Sequence, residues 1–235
     1  MVRTVKILRI HLAPRKRDRV LVHVEGQEPF EIALDVMDRS GIHVGTELKP
    51  VDLARLKEDD TKWRIRQAAL HFLSYRPRAE QELRSKLRTR DFPPALVEWC
   101  IDLLREQGFL DDAAFSSAFA RSRIRIRPRG RFRLMQELRQ KGVAGAVAEQ
   151  AIESAFVDEE TSEETLATAV AIKWIERQNP EMTKALAIKD FSPERAKGRR
   201  RLHAFLGRRG FAPGAVSSAL AAALDRAADL CTSGV

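Results

Sequence analysis

The chain has 235 residues, 44% apolar and 32% charged, with 42 Lys and Arg against 33 Asp and Glu and a formal net charge of +9. At roughly 100–200 residues per domain it holds one or two globular domains, and its wealth of Leu and Ala with few aromatics favours helices. The composition does not suit disorder throughout, and no run of about 18 apolar residues is present to span a membrane. Lys6 and Arg9 interrupt the first ten residues, so these do not read as a secretory signal. Cys100 and Cys231 stand far apart without CxxC spacing, which suggests neither a disulfide framework nor a zinc site; the expected compartment is the cytoplasm.

In chain order, Val5 to Leu12 and Arg19 to Val24 roughly alternate apolar and polar residues, and a third run follows from Phe30 to Leu34. This predicts a small β unit with a hairpin at Gly26, and Pro29 predicts that the returning strand begins there or lies at an edge. After Pro50 the pattern turns helical, and the charged stretch Lys57 to Lys62 reads as a helix end or short linker, with a boundary near Thr61.

Beyond that boundary the sequence repeats. Arg76-Pro77-Arg78 returns as Arg127-Pro128-Arg129, an offset of 51 that also carries Leu83 to Leu134, Leu87 to Leu138 and Phe92 to Val143. A further offset of 68 takes Leu134 to Leu202, Leu138 to Leu206 and Gly142 to Gly210, the extra 17 residues falling around Asn179 to Ser192 between Pro180 and Pro193. Each copy holds three helix-length segments. In the second, Asp111 or Asp112 caps a helix carrying Phe115 and Phe119, Pro128-Arg129-Gly130 ends it, and a helix with Leu134 and Leu138 at i, i+4 leads to Gly142 as its C′ glycine. The predicted fold is mainly α: tandem three-helix repeats in a curved, elongated body behind an N-terminal β unit. Its predicted segments are 1–61 for the β-hairpin unit with a short helix, 63–107, 108–157 and 160–228 for the repeats, and about 179–192 for the insertion in the third.

Charge is unevenly placed. From Arg121 to Lys141 nine basic residues face one acid, Glu137; Arg195 to Arg209 adds seven basic residues and no acid; Gly142 to Ile172 holds seven acids and no base. Solvated arginines on helix faces would explain one such run, but recurrence at equivalent positions favours an anionic partner: nucleic-acid phosphates, an acidic protein surface or anionic lipid, lipid being the weakest. The alternation of arginines from Arg121 to Arg133 would put them on one face of a strand; the repeat register assigns helix, turn, helix instead. If the repeats stack, their basic corners align into a stripe.

Signatures of chemistry are missing. There is no GxxxxGK[ST], no GxGxxG after a strand, no HExxH and no GxSxG. The five histidines are scattered singly, and Asp111-Asp112 reads as a helix cap rather than a metal-nuclease pair, since adjacent helical residues do not face the same way. Trp63, Trp99 and Trp174 read as core, and with few aromatics near the arginines no single-strand stacking platform is expected. No catalytic residue, metal or cofactor is expected.

Gly108 to Phe115, Phe119-Ala120-Arg121, Gly130 to Leu134 and Glu137 to Val143, together with Arg76-Pro77-Arg78, Glu82-Leu83 and Lys86-Leu87, resemble the RecX family of bacterial regulators of the recombinase RecA. The resemblance runs from about Ile65 to Leu220. Ala79 departs from it, standing where the family commonly has Ser or Thr, as does the insertion in the third repeat. The resemblance implies a protein without catalysis of its own that lies in the groove of RecA filaments on DNA and restrains recombination and the SOS response. Its expected charge contacts are Arg127, Arg129, Arg131, Arg133 and Lys141, with Arg76, Arg78, Arg199, Arg200 and Arg201 in the other repeats; partners are the RecA filament and single- or double-stranded DNA, not a membrane, for a monomer. The alternative is a sequence-independent DNA-binding repressor or nucleoid-type protein.

Overall fold

Strands β1 (Val5–Leu12), β2 (Arg19–Val24), β3 (Phe30–Ala33) and β4 (Glu47–Leu48) form one antiparallel sheet in the order β3-β2-β1-β4. Along β2, Val20, Val22 and Val24 are buried and the residues between them are not, so one face packs while the other meets solvent. That face closes on helix α1 (Leu34–Ser40) and the start of α2 (Pro50–Tyr75) through Ile7, Ile32, Val36, Leu53 and Leu56. Gly26, at φ +67°, makes the predicted turn, and β3 begins after Pro29 at the sheet edge. This computed structural model describes residues 4–14 and 16–232.

The expected break at Lys57 to Lys62 does not occur. Helix α2 runs 26 residues without interruption through Thr61. The charges that suggested a linker are absorbed locally: Lys62 pairs with Glu58 one turn earlier at 2.7 Å, and Asp60 is buried, its carboxylate accepting from the Ala33 amide and the Arg19 guanidinium, each at 2.8 Å. A charge run on a long helix is a solvated face with one anchored residue, and composition alone does not distinguish the two.

The chain divides into two compact units, Met1–Pro77 with Leu83–Leu110, and Arg78–Glu82 with Asp111–Val235. In the first, the later part of α2 packs with α3 (Glu80–Arg88) and α4 (Pro94–Glu106) around Ile65, Ala69, Leu83, Leu87, Ile101 and Leu104. In the second, α5 (Asp112–Ile126), α6 (Arg131–Gln140) and α7 (Gly145–Asp158) enclose Ala120, Leu134, Leu138, Ile152 and Phe156. Next, α8 (Glu163–Ile175), α9 (Pro180–Ala187), α10 (Pro193–Arg208) and α11 (Pro213–Thr232) enclose Ala171, Ile175, Leu186, Leu202, Leu206 and Ala219. The chain is mainly α behind a small β unit. The bracketing prolines each open a helix: Asn179 caps α9 through Met182 N–H and Ser192 caps α10 through Arg195 N–H. The added helix α9 lies on α10 at Gly198, where a Cβ would come within 2.8 Å of Leu186.

Within the second unit, one joint is made twice. The Glu80 amide, opening α3, donates to Asp112 at 2.8 Å; the Arg131 amide, opening α6, donates to Glu163 at 2.9 Å, and Glu163 also accepts from the Ala212 amide at 3.1 Å. Donor and acceptor both shift by 51 residues, the repeat offset. Glu163 is only 7% exposed, so its carboxylate answers helix-terminal amides that would otherwise be buried unpaired. Glycines close the same joints. Gly142 and Gly210 both have positive φ, and a Cβ would fall 2.3 Å from Gln81 and 2.4 Å from the Arg133 nitrogen respectively. Ala79 is fully buried in the same core as Leu134 and Val143, and the Glu80 amide beside it is answered by Asp112 rather than by a hydroxyl cap.

Candidate functional site

The arginine-rich turn of the second repeat is helix, turn, helix, as the repeat register predicts, and its cations are largely spoken for. Arg121 reaches Asp158 at 3.0 Å, Arg125 reaches Glu159 at 2.5 Å, and Arg131 pairs with Glu153 and lies 3.8 Å from Glu163. Arg123 and Arg133 converge on Glu137 at 2.9 and 3.0 Å, with Arg129 at 3.9 Å. Burial pushes the Glu137 carboxyl up, but hydrogen bonds from Arg123 and Arg133 outweigh it and hold the group below the usual carboxylate range. The acid-rich stretch after Gly142 folds back on the base-rich stretch before it, so the +8 of the segment Arg121 to Lys141, nine basic residues less one acid, is much smaller in space. Arg127, at the end of α5, is exposed and makes no ion pair among the described residues.

Lys141 joins the array differently. Its ammonium sits 3.6 Å from Glu82 and over the rings of Phe115 and Phe119 at 5.9 and 5.5 Å. Arg78 pairs with Glu82 at 2.5 Å, with only 9% of its side chain exposed. Arg76 belongs to the first unit and donates to the Pro77 carbonyl at 3.1 Å.

Helix α10 presents the opposite situation. Lys197, Arg199, Arg200, Arg201 and Arg208 are exposed, and none of their side chains makes a salt bridge or hydrogen bond among the described residues. Two shallow grooves flank them. One of about 360 Å³ is lined by Lys189, Phe191, Arg195, Arg199 and Arg200; the other, about 440 Å³, by Trp174, Lys197, Arg200, Arg201, Phe205 and Arg208. Nearby, the Arg209 guanidinium lies 4.5 Å over the Phe205 ring and donates to the Pro128 carbonyl at 3.0 Å. Burial first, then the neighbouring Arg129 and Arg177 cations, lower its pKa.

Sequence reasoning had Arg199, Arg200 and Arg201 but not Lys197, Arg208 or the aromatics beside them. It also read the histidines as separate, whereas His11 and His23 stack with ring centroids 5.1 Å apart across β1 and β2. Asp111 accepts from the Ala113 and Ala114 amides as a helix cap, while Asp112 serves the joint described above. No group of three or more potential metal ligands occurs among the described residues, and no helix is long and apolar enough to cross a membrane.

Two family models match, the first three-helix domain of RecX over residues 66–104 and its second three-helix domain over residues 111–152. The chain belongs to the RecX family. A protein from Halalkalibacterium halodurans called "Regulatory protein RecX" is 31% identical over 73% of this chain and 64% of its own length. A second of that name, from Halorhodospira halophila, is 42% identical over 40% of this chain and 58% of its own length. The chain thus spans less than two thirds of either relative. Among solved structures, a crystal structure of regulatory protein RecX superposes with a TM-score of 0.64 at 25% identity, covering 91% of this chain and 97% of that one. RecX from Lactobacillus salivarius, 18% identical with a TM-score of 0.54, shares the fold. The matched domains coincide with the two copies in which the 51-residue offset first shows, so the repeat and the RecX family describe the same helices.

Proposed function

We propose that this protein regulates a recombinase by binding RecA nucleoprotein filaments, restraining recombination and the SOS response without catalysis of its own. Membership of the RecX family supports the regulatory reading, and the one structural observation that carries the contact is the row of uncompensated cations on α10. Arg199, Arg200 and Arg201 supply the principal charge contacts, with Arg127 and Arg76 as further points. Arg129, Arg131, Arg133, Lys141 and Arg78 reach an outside anion by exchanging an internal carboxylate for it. For the more exposed pairs this exchange is cheap, since a solvent-accessible ion pair contributes about 0–1 kcal/mol. Tandem modules offer several modest contacts to a helical polymer, and these add through effective concentration.

Co-sedimentation with RecA filaments, beside DNA alone, tests the reading. The wild type is expected to pellet with filaments and to lower ATP hydrolysis by RecA. The triple variant Arg199→Glu, Arg200→Glu, Arg201→Glu is expected to stay in the supernatant. Equal pelleting with DNA alone and no effect on RecA would favour the sequence-independent DNA-binding reading, which the same cations serve.

A further inference from the structure

We propose that the face made by α10 and the loop before it is a site for single-stranded nucleic acid, in which Phe191 stacks on an unpaired base and the free cations of α10 hold the backbone. This does not depend on RecA. Phe191 is 88% exposed, the most exposed large apolar residue of those described, and it belongs to no packed cluster among them. It stands in a groove with Lys189, Arg195, Arg199 and Arg200, where Asp190 is the one carboxylate. Within that groove Arg195 has a buried Nη1 without a hydrogen-bond partner. That atom is closed to solvent, so the groove's reach to a phosphate comes from the exposed Arg199 and Arg200.

The choice of ligand follows from the combination. An acidic protein surface would satisfy the cations but give no reason for a bare aromatic ring among them. A duplex keeps its bases stacked inside, out of reach of Phe191. Single strands offer both a phosphate row and free base faces, and proteins that bind them pair a basic groove with aromatic platforms. Arg200 lines both grooves, so the track continues from Phe191 past Trp174 and Phe205. From Lys197 to Arg208 it follows the helix for about 16 Å. Phe191 lies in the segment that lengthens the third repeat, which gives that segment a role of its own.

Fluorescence anisotropy of a labelled oligo-dT, without RecA, tests this. Phe191→Ala is expected to weaken binding about tenfold, while wild type and variant bind an abasic strand of equal length alike. Arg200→Gln is expected to weaken both strands. Because Phe191 makes no core contact, its variant should melt with the wild type, which separates loss of binding from loss of fold. Unchanged oligo-dT binding by Phe191→Ala, or an equal loss on abasic or duplex DNA, overturns the proposal. Filament co-sedimentation by the same variant reports separately on the regulatory reading.

Discussion

At Gly210 a side chain would have to occupy space already filled by the Arg133 backbone, 2.4 Å away, with φ at +77°. Gly130 faces the same contact: its amide donates to the Arg209 carbonyl at 2.9 Å, and its own Cβ would lie 2.2 Å from the Gly210 oxygen. Left-handed backbone and steric conflict act together, so Gly210→Ala is expected to destabilise the second unit by roughly 2–4 kcal/mol, read as a lowered midpoint in urea melts. Pro128-Arg129-Gly130 was legible as a helix break, but not as a close approach of two backbones. Local sequence shows where a chain turns; it does not show what a distant loop brings to the turn.

Among the elements, α6 is held by charge as well as by the buried Leu134 and Leu138. Glu137 holds Arg123 of α5 and Arg133 of its own helix. Its pKa lies below the ordinary carboxylate value, so the stabilisation is complete above about pH 4.3 and is lost as pH falls through the lower folded value. Glu137→Gln is accordingly expected to cost about 1–2 kcal/mol at pH 7 and progressively less towards pH 3, measured by urea melts across that range. The pairing of α5 with α7 was partly legible: one repeat carried a basic stretch followed by an acidic one of matching size. Their cancellation was not, because a count along the chain is blind to antiparallel return. The uninterrupted α2 is the same lesson reversed, since Lys57 to Lys62 resembles a linker only until Asp60 is seen beneath Ala33 and Arg19.

For the molecule as a whole, a net charge of +9 says less than its distribution. Cations answered by carboxylates contribute little to the outside field, whereas those of α10 contribute in full. Neutralising Arg199, Arg200 and Arg201 to Gln is therefore expected to reduce the slope of log affinity against log salt by about 2 for a single strand and about 3 for a duplex. The same three changes among Arg121, Arg125 and Arg131 should alter it less, and equal slopes from both sets would show that the internal pairs open freely. The helical repeats, the β unit and the family were legible from periodicity and motif. The aromatic company of α10 was not: Phe191 lies outside the repeat register, and Trp174 reaches Phe205 only through folding.

The carboxylate of Glu163 also says what sort of array this is. It opens the third repeat, yet the amide it answers at Arg131 starts a helix of the second. The first two modules are each finished by the one that follows. A chain trimmed between them would not shed a bead from a string; it would strip the preceding module of its own helix terminus, so the repeats are separable as text but not as parts.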